Sequence, residues 1–141
     1  MKNILQELRI GNWLFSEGKF FCITTELFYH MLSRRTIKYE PIRITPEILG
    51  CAGFTATGSF FQAKKMIEGV VYDNVNLDPS DEYWFSYYFN LCEVAIMSEN
   101  QSIVEPLVII KEVYYLHQLQ NLIYSLTGVE MKIEFHKGYT E

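Results

Sequence analysis

Val113-Tyr114-Tyr115-Leu116-His117-Gln118-Leu119-Gln120-Asn121-Leu122-Ile123-Tyr124-Ser125-Leu126-Thr127-Gly128 is the stretch that decides how this 141-residue chain is read. Leu116, Leu119, Leu122, Ile123 and Leu126 recur at the three- and four-residue spacing that lines one side of a helix with apolar groups. Gly128 is the residue type that takes the left-handed conformation ending a helix, so the spacing predicts a helix over 113–127. His117, Asn121 and Tyr124, four and then three residues apart, share a polar face beside Gln118 and Gln120. Such side chains donate and accept hydrogen bonds without a fixed charge. His117, Gln120, Asn121 and Tyr124 are therefore candidates for a surface that recognises another protein, a base edge or a small ligand. The plainer alternative is that His117 and Asn121 secure a neighbouring loop or face water.

Outward from this helix the rest of the fold follows. Residues 129–135 alternate Val129, Met131, Ile133 and Phe135 with Glu130, Lys132 and Glu134, the period of a half-buried strand. Upstream, 83–97 is aromatic and β-branched, and the polar loop 98–102 makes it one arm of a hairpin with 103–110. Residues 8–25 read as β structure broken at Gly11-Asn12 and at Ser16-Glu17-Gly18. The next stretch, 26–35, fits a strand or a short helix, and 36–44 is extended with Pro41 marking an edge. Thr45-Pro46-Glu47 supplies a cap, a first-turn proline and an acid for the positive helix end, with Gly53 as the stop. A second short helix is expected over 62–68, a strand over 70–72, and a polar loop with Pro79 over 73–82. The expected fold class is α+β: a mainly antiparallel sheet with an SH3-like N-terminal β region and the C-terminal helix packed across it. One domain spans 1–141, with 1–45 a small β subdomain and 46–141 the α+β portion.

Composition narrows the function classes. Hydrophobic residues make up 49% of the chain, enough for a core, but no apolar run approaches the roughly 20 residues that span a bilayer. Glu7 and Arg9 interrupt a signal-peptide reading of 1–10, so a soluble cytoplasmic protein is expected. Cys22, Cys51 and Cys92 are odd in number and far apart, which argues for reduced thiols, and the Asn100-Gln101-Ser102 sequon is read as chance. His30, His117 and His136 are isolated, with no metal-ligand spacing. The loop 73–78 has Pro79 where a calcium loop needs glycine. Neither a nucleophile elbow, a phosphate-binding loop nor a dinucleotide fingerprint is present. An enzyme would have to use a scattered site, such as a hydrolase with His117 or His136 as base. No cofactor is implied.

Net charge is −5, yet residues 1–45 carry seven basic groups against four acidic ones. Arg34, Arg35 and Lys38 lie near Tyr29 and Tyr39, and cations interleaved with rings can hold phosphates and stack bases. Arg34, Arg35, Lys38 and Tyr39 are thus the candidates for a nucleic-acid contact.

Three blocks add a resemblance: Glu7-Leu8-Arg9-Ile10-Gly11-Asn12-Trp13; Tyr39-Glu40-Pro41-Ile42-Arg43-Ile44-Thr45-Pro46-Glu47-Ile48-Leu49 with Gly53-Phe54; and His117-Gln118-Leu119-Gln120-Asn121-Leu122 with Leu126-Thr127-Gly128. In order and spacing the chain resembles a family of small uncharacterised proteins encoded by phages and prophages of Bacteroides-type gut bacteria. Residues 56–112 lie outside the resemblance. It implies a phage or prophage origin and a bacterial host cytoplasm, and it brings no activity and no catalytic residue. The chain departs from that family at Pro106-Leu107-Val108-Ile109-Ile110, where members have a more basic or polar segment, a change that bears on packing or on a partner surface. The leading expectation is a non-enzymatic interaction module binding a host or phage protein, or itself. Nucleic-acid binding through the basic N-terminal region and a pocket for a nucleotide-like ligand are the alternatives.

Overall fold

The computed structural model describes residues 7–34, 38–57, 60–63 and 82–135, and the fold is α+β, two antiparallel sheets joined by a C-terminal helix. Strands β1 (Trp13–Ser16) and β2 (Lys19–Cys22) form a hairpin whose two-residue turn, Glu17-Gly18, has φ of 49° and 79°. Positive φ at both positions matches the right-handed twist of the flanking strands, and Gly18 takes it without steric cost. The short strand β3 (Glu40–Pro41) pairs with the other side of β1, giving the order β2-β1-β3. Pro41 therefore sits on an edge, where its missing N–H costs no ladder bond. Three described strands make an open sheet. Leu8 to Ile10, expected as a strand, is turn and coil instead.

Register assigns the two faces of this small sheet. Leu14 and Phe21, with Pro41 beside Leu14 in the ladder, share a face on which Leu14 and Phe21 join Leu8, Ile23 and Met31 in one cluster. Helix α1 (Thr25–Arg34) covers that face with Leu27, Phe28 and Met31, and Thr24 caps it through Oγ1, which accepts from the Leu27 N–H at 3.2 Å. The cap and the inward spacing of 27, 28 and 31 settle the ambiguous stretch as helix. On the opposite face, Trp13, Phe15 and Phe20 meet Ile42, Ile48, Leu116 and Phe135, with Phe20 and Phe135 stacked at 4.3 Å between centroids.

Helix α2 (Pro46–Cys51) starts as expected. Thr45 Oγ1 accepts from the Ile48 N–H at 3.2 Å and Pro46 occupies the first turn. Ile48 faces the small sheet's cluster and Leu49 the larger core, so these two turns seal the seam between them.

The second sheet is a five-stranded meander in sequence order: β4 (Thr55–Thr57), β5 (Phe60–Ala63), β6 (Glu82–Tyr88), β7 (Glu93–Asn100) and β8 (Ile103–Ile110). The expected single arm over 83–97 is two strands, reversed at residues 89–92 with Cys92 at φ 52°. The polar stretch 98–102 divides likewise. Ser98, Glu99 and Asn100 finish β7, and only Gln101-Ser102 turn, at φ 51° and 68°. Gln62 and Ala63, expected in a helix, belong to β5; the rest of that helix, the strand over 70–72 and the loop 73–81 lie outside the described residues. One face carries Tyr83, Phe85, Tyr87, Val94 and Ile96 into the main core with Leu49, Phe54, Leu119, Ile123 and Met131. The Tyr87 hydroxyl donates to the Val113 carbonyl at 2.5 Å, and burial raises its pKa well above the usual phenol value.

Helix α3 (Leu116–Thr127) lies across that face and ends at Gly128, at φ 71°, whose N–H donates to the Tyr124 carbonyl at 2.7 Å. It begins three residues later than its sequence pattern, because the preceding backbone is already bonded. The Val113 N–H donates to Cys92, the Tyr114 carbonyl accepts from Ile44, and Arg43 bridges to Tyr115. Residues 129–135 are also corrected: they form no ladder, and the Glu134 N–H donating to the Cys51 carbonyl at 2.9 Å is their tie to α2. Met131, Ile133 and Phe135 still point inward, while Val129 is exposed. No helix among the described residues is long and apolar enough to cross a membrane.

Candidate functional site

The polar face of α3 is turned into the molecule. Gln120 is fully buried, its Oε1 accepting from the Trp13 N–H at 2.9 Å and its Nε2 donating to the Gly11 carbonyl at 3.0 Å. One side-chain amide thereby completes the backbone bonding at the entrance to β1, as a neighbouring strand would. Asn121 donates through Nδ2 to the Glu7 carbonyl at 2.8 Å and accepts at Oδ1 from Asn12 Nδ2 at 2.8 Å. Asn12 is itself fully buried, and its Oδ1 accepts from the Arg9 N–H at 2.8 Å. Gln118 reaches back over the helix start, accepting from the Tyr114 and Tyr115 amides at 2.9 and 3.0 Å.

Arg9 closes the outer rim of this seam. Its two terminal nitrogens donate to Glu130 at 2.6 and 3.0 Å, and its guanidinium lies 4.4 Å from the centre of the Tyr124 ring. Glu130 is substantially exposed, so this pair contributes no more than about 1 kcal/mol. Gly11, at φ 99°, passes beneath it. A Cβ there would lie 3.3 Å from Arg9 Nη1 and 3.4 Å from a Glu130 oxygen.

His117 is fully buried, stacked on Tyr115 at 5.9 Å, and neither ring nitrogen has a hydrogen-bond partner among the described residues. Burial lowers its pKa below the ordinary 6.5, an effect the negative charge of Glu7 partly offsets. A ring so placed reaches no substrate from solvent. The role of His117 as general base therefore fails on access, and His136 lies outside the described residues.

These findings correct the expected recognition face. His117 and Gln120 are internal, Asn121 is committed to Glu7 and Asn12, and Tyr124 is exposed but holds Arg9. The physical reason is that Gly11, Trp13 and Glu7 present backbone groups with no strand opposite them, and α3 is the element that meets them.

The basic candidates are not gathered either. Arg35 lies outside the described residues; Arg34 ends α1. Lys38 and Tyr39 line an open hollow of about 470 Å³ with Phe15, Ser16, Glu17 and Glu40. Tyr39 also packs against the Leu14 cluster, and the Ser16 hydroxyl donates to the Lys38 carbonyl. Two carboxylates around one ammonium make a poor seat for a phosphate chain.

The sequence reading found β8 as a hairpin arm but missed its exposure. Ile103, Val104, Leu107, Val108 and Ile109 are 64%, 52%, 47%, 46% and 50% exposed, consecutive or nearly so on the strand that, among the described residues, ends the sheet. The signal was present. An apolar run of both parities reads as a strand covered on both faces, and Pro106 within it demands an edge. No protein-family model, curated protein or solved structure matches the chain.

Proposed function

We propose that the chain is a non-enzymatic binding module of phage or prophage origin, working in the cytoplasm of a bacterial host, whose contact surface is strand β8. The carrying observation is the contiguous apolar strip on an uncovered sheet edge. The five aliphatic residues leave on the order of 500 Å² exposed, the size of the largest patches on monomers, which are commonly functional. Elsewhere among the described residues the exposed large apolar side chains, such as Ile10, Tyr29 and Val129, are dispersed over other elements. The phage assignment rests on the three-block resemblance.

Affinity capture from host cells, with wild type beside Leu107→Lys, tests this reading. Partners recovered by wild type and lost by the variant are the expected result. The same partners in the same yield from both would remove β8 as the contact surface. The hollow at Lys38 does not favour nucleic acid, because Glu17 and Glu40 flank Lys38 and Tyr39 is part of a core cluster.

A further inference from the structure

We propose that the occupant of the β8 strip is a second copy of this chain, the two strands lying antiparallel about a two-fold axis. The inference rests on β8 being the binding surface and adds the identity of its partner.

The placement of the side chains limits what can cover them. Along the ladder, Ile103, Glu105, Val108 and Ile110 stand beside Asn100, Ser98, Ile96 and Val94, on the face that α3 covers. Val104, Pro106 and Ile109 stand beside Glu99, Met97 and Ala95, on the other face. Leu107 has no opposite residue, because the register shifts between Ile96 and Met97. The strip thus wraps around the rim of the sheet. A partner lying on one face would leave half of it wet, whereas an extended segment alongside the rim covers both halves. β8 is itself such a segment, and an isologous contact needs only this one self-complementary patch.

Area and charge favour the same occupant. Two strips of on the order of 500 Å² bury about 1,000 Å² together, the lower bound for a specific interface. The chain as a whole is acidic at −5, yet β8 holds Glu105 as its single charge, so two copies meet here without a block of like charge. When Ile103 is set opposite Ile110 of the second copy, Val104 falls opposite Ile109 and Glu105 opposite Val108, residues that share a face in each case, and each pairing occurs twice. Glu112, at φ 62°, turns the chain out of the strand line directly after Lys111. Pro106 has no N–H to offer and the shift at Leu107 breaks the spacing of edge amides, so side chains rather than a continuous ladder make the contact. The edge is consumed when two copies have met. Assembly then stops at a dimer instead of growing into a fibre.

The test is sedimentation velocity on the full chain from low to high micromolar concentration. Wild type is expected to dimerise as concentration rises. Val108→Glu places a carboxylate against Glu105 of the second copy, twice over, and should weaken association at least about a hundredfold, while its half-exposed position leaves the thermal melt of the monomer intact. Wild type monomeric at every concentration overturns the dimer. If the same protein still loses captured partners on Leu107→Lys, the binding surface stands and only its occupant was misassigned. A dimer indifferent to Val108→Glu overturns both assignments.

Discussion

Helix α3 buries the amide of Gln120 and the imidazole of His117 completely, whereas strand β8 leaves Ile103, Val104, Leu107, Val108 and Ile109 about half exposed. Polarity alone would sort these two elements the other way round. What decides their placement is whether a neighbour needs them. The entrance to β1 presents the Trp13 N–H and the Gly11 carbonyl without a strand opposite, and a side-chain amide satisfies both where an aliphatic group satisfies neither. At β8 the sheet ends, and nothing among the described residues lies beyond it in the ladder. A buried polar group with partners is stable, and an exposed apolar strip without one is unfinished.

The comparison breaks most visibly if the buried side is tested first. Gln120→Leu keeps much of the volume but strands the Trp13 N–H, and leaves the Gly11 carbonyl with a long 3.5 Å contact from Cys22 Sγ. At about 1–3 kcal/mol for each buried group deprived of its partner, urea unfolding should report a loss of about 2–5 kcal/mol. A loss below 1 kcal/mol would mean that the seam is not a structural element. Gly11→Ala should cost about 1–3 kcal/mol, since a Cβ is strained at φ 99° and the Arg9 and Glu130 side chains must move aside. For the Asn12–Asn121 contact, the cycle of Asn12→Ala, Asn121→Ala and the double variant should yield a coupling of about 1 kcal/mol.

His117 sharpens the comparison through pH. Its pKa is lowered in the folded state by burial, so between the ordinary 6.5 and that lower value the unfolded chain binds a proton that the folded chain refuses. Stability from this source is complete above about 6.5 and is lost as the pH falls from there through the folded value. Urea midpoints measured across this range should decline toward acid in wild type and decline less in His117→Phe. Equal slopes in the two proteins would show that the imidazole is not held neutral by the core.

How far the sequence could be read follows from the range of the forces involved. The leucine spacing and Gly128 of α3, and the Thr45-Pro46 start of α2, are local signals, and both helices formed where they pointed. The reversal at residues 89–92 was hidden because Phe89, Leu91 and Cys92 look like strand residues and only Asn90 suggests a turn. Alternation over 129–135 correctly turned Met131, Ile133 and Phe135 inward but not Val129, which is exposed, and a period of two says nothing about ladder bonds, of which none formed. The α3 seam was illegible for another reason. Its partners lie 109 residues away in sequence, and an amide facing water and one facing Gly11 follow the same spacing. At β8 the residues were read as a strand but not as an exposed one, since exposure there depends on where the meander stops.

The smallest effect completes the comparison. Ile109 is 50% exposed on the outer strand, so Ile109→Thr replaces an ethyl group, at a position that water already reaches, by a hydroxyl that water can bond. At low micromolar concentration, where the chain is monomeric, the unfolding free energy should change by no more than about 0.5 kcal/mol. At high concentration the outcome should differ, because a partner that binds only the folded state adds to stability by mass action. Wild type should then gain stability with concentration while Ile109→Thr gains less. A substitution silent in the monomer and audible only when copies are plentiful is the signature of a side chain whose packing neighbour belongs to another molecule. A large loss already present at low concentration would instead place Ile109 in the chain's own core and return β8 to the interior that its composition suggests.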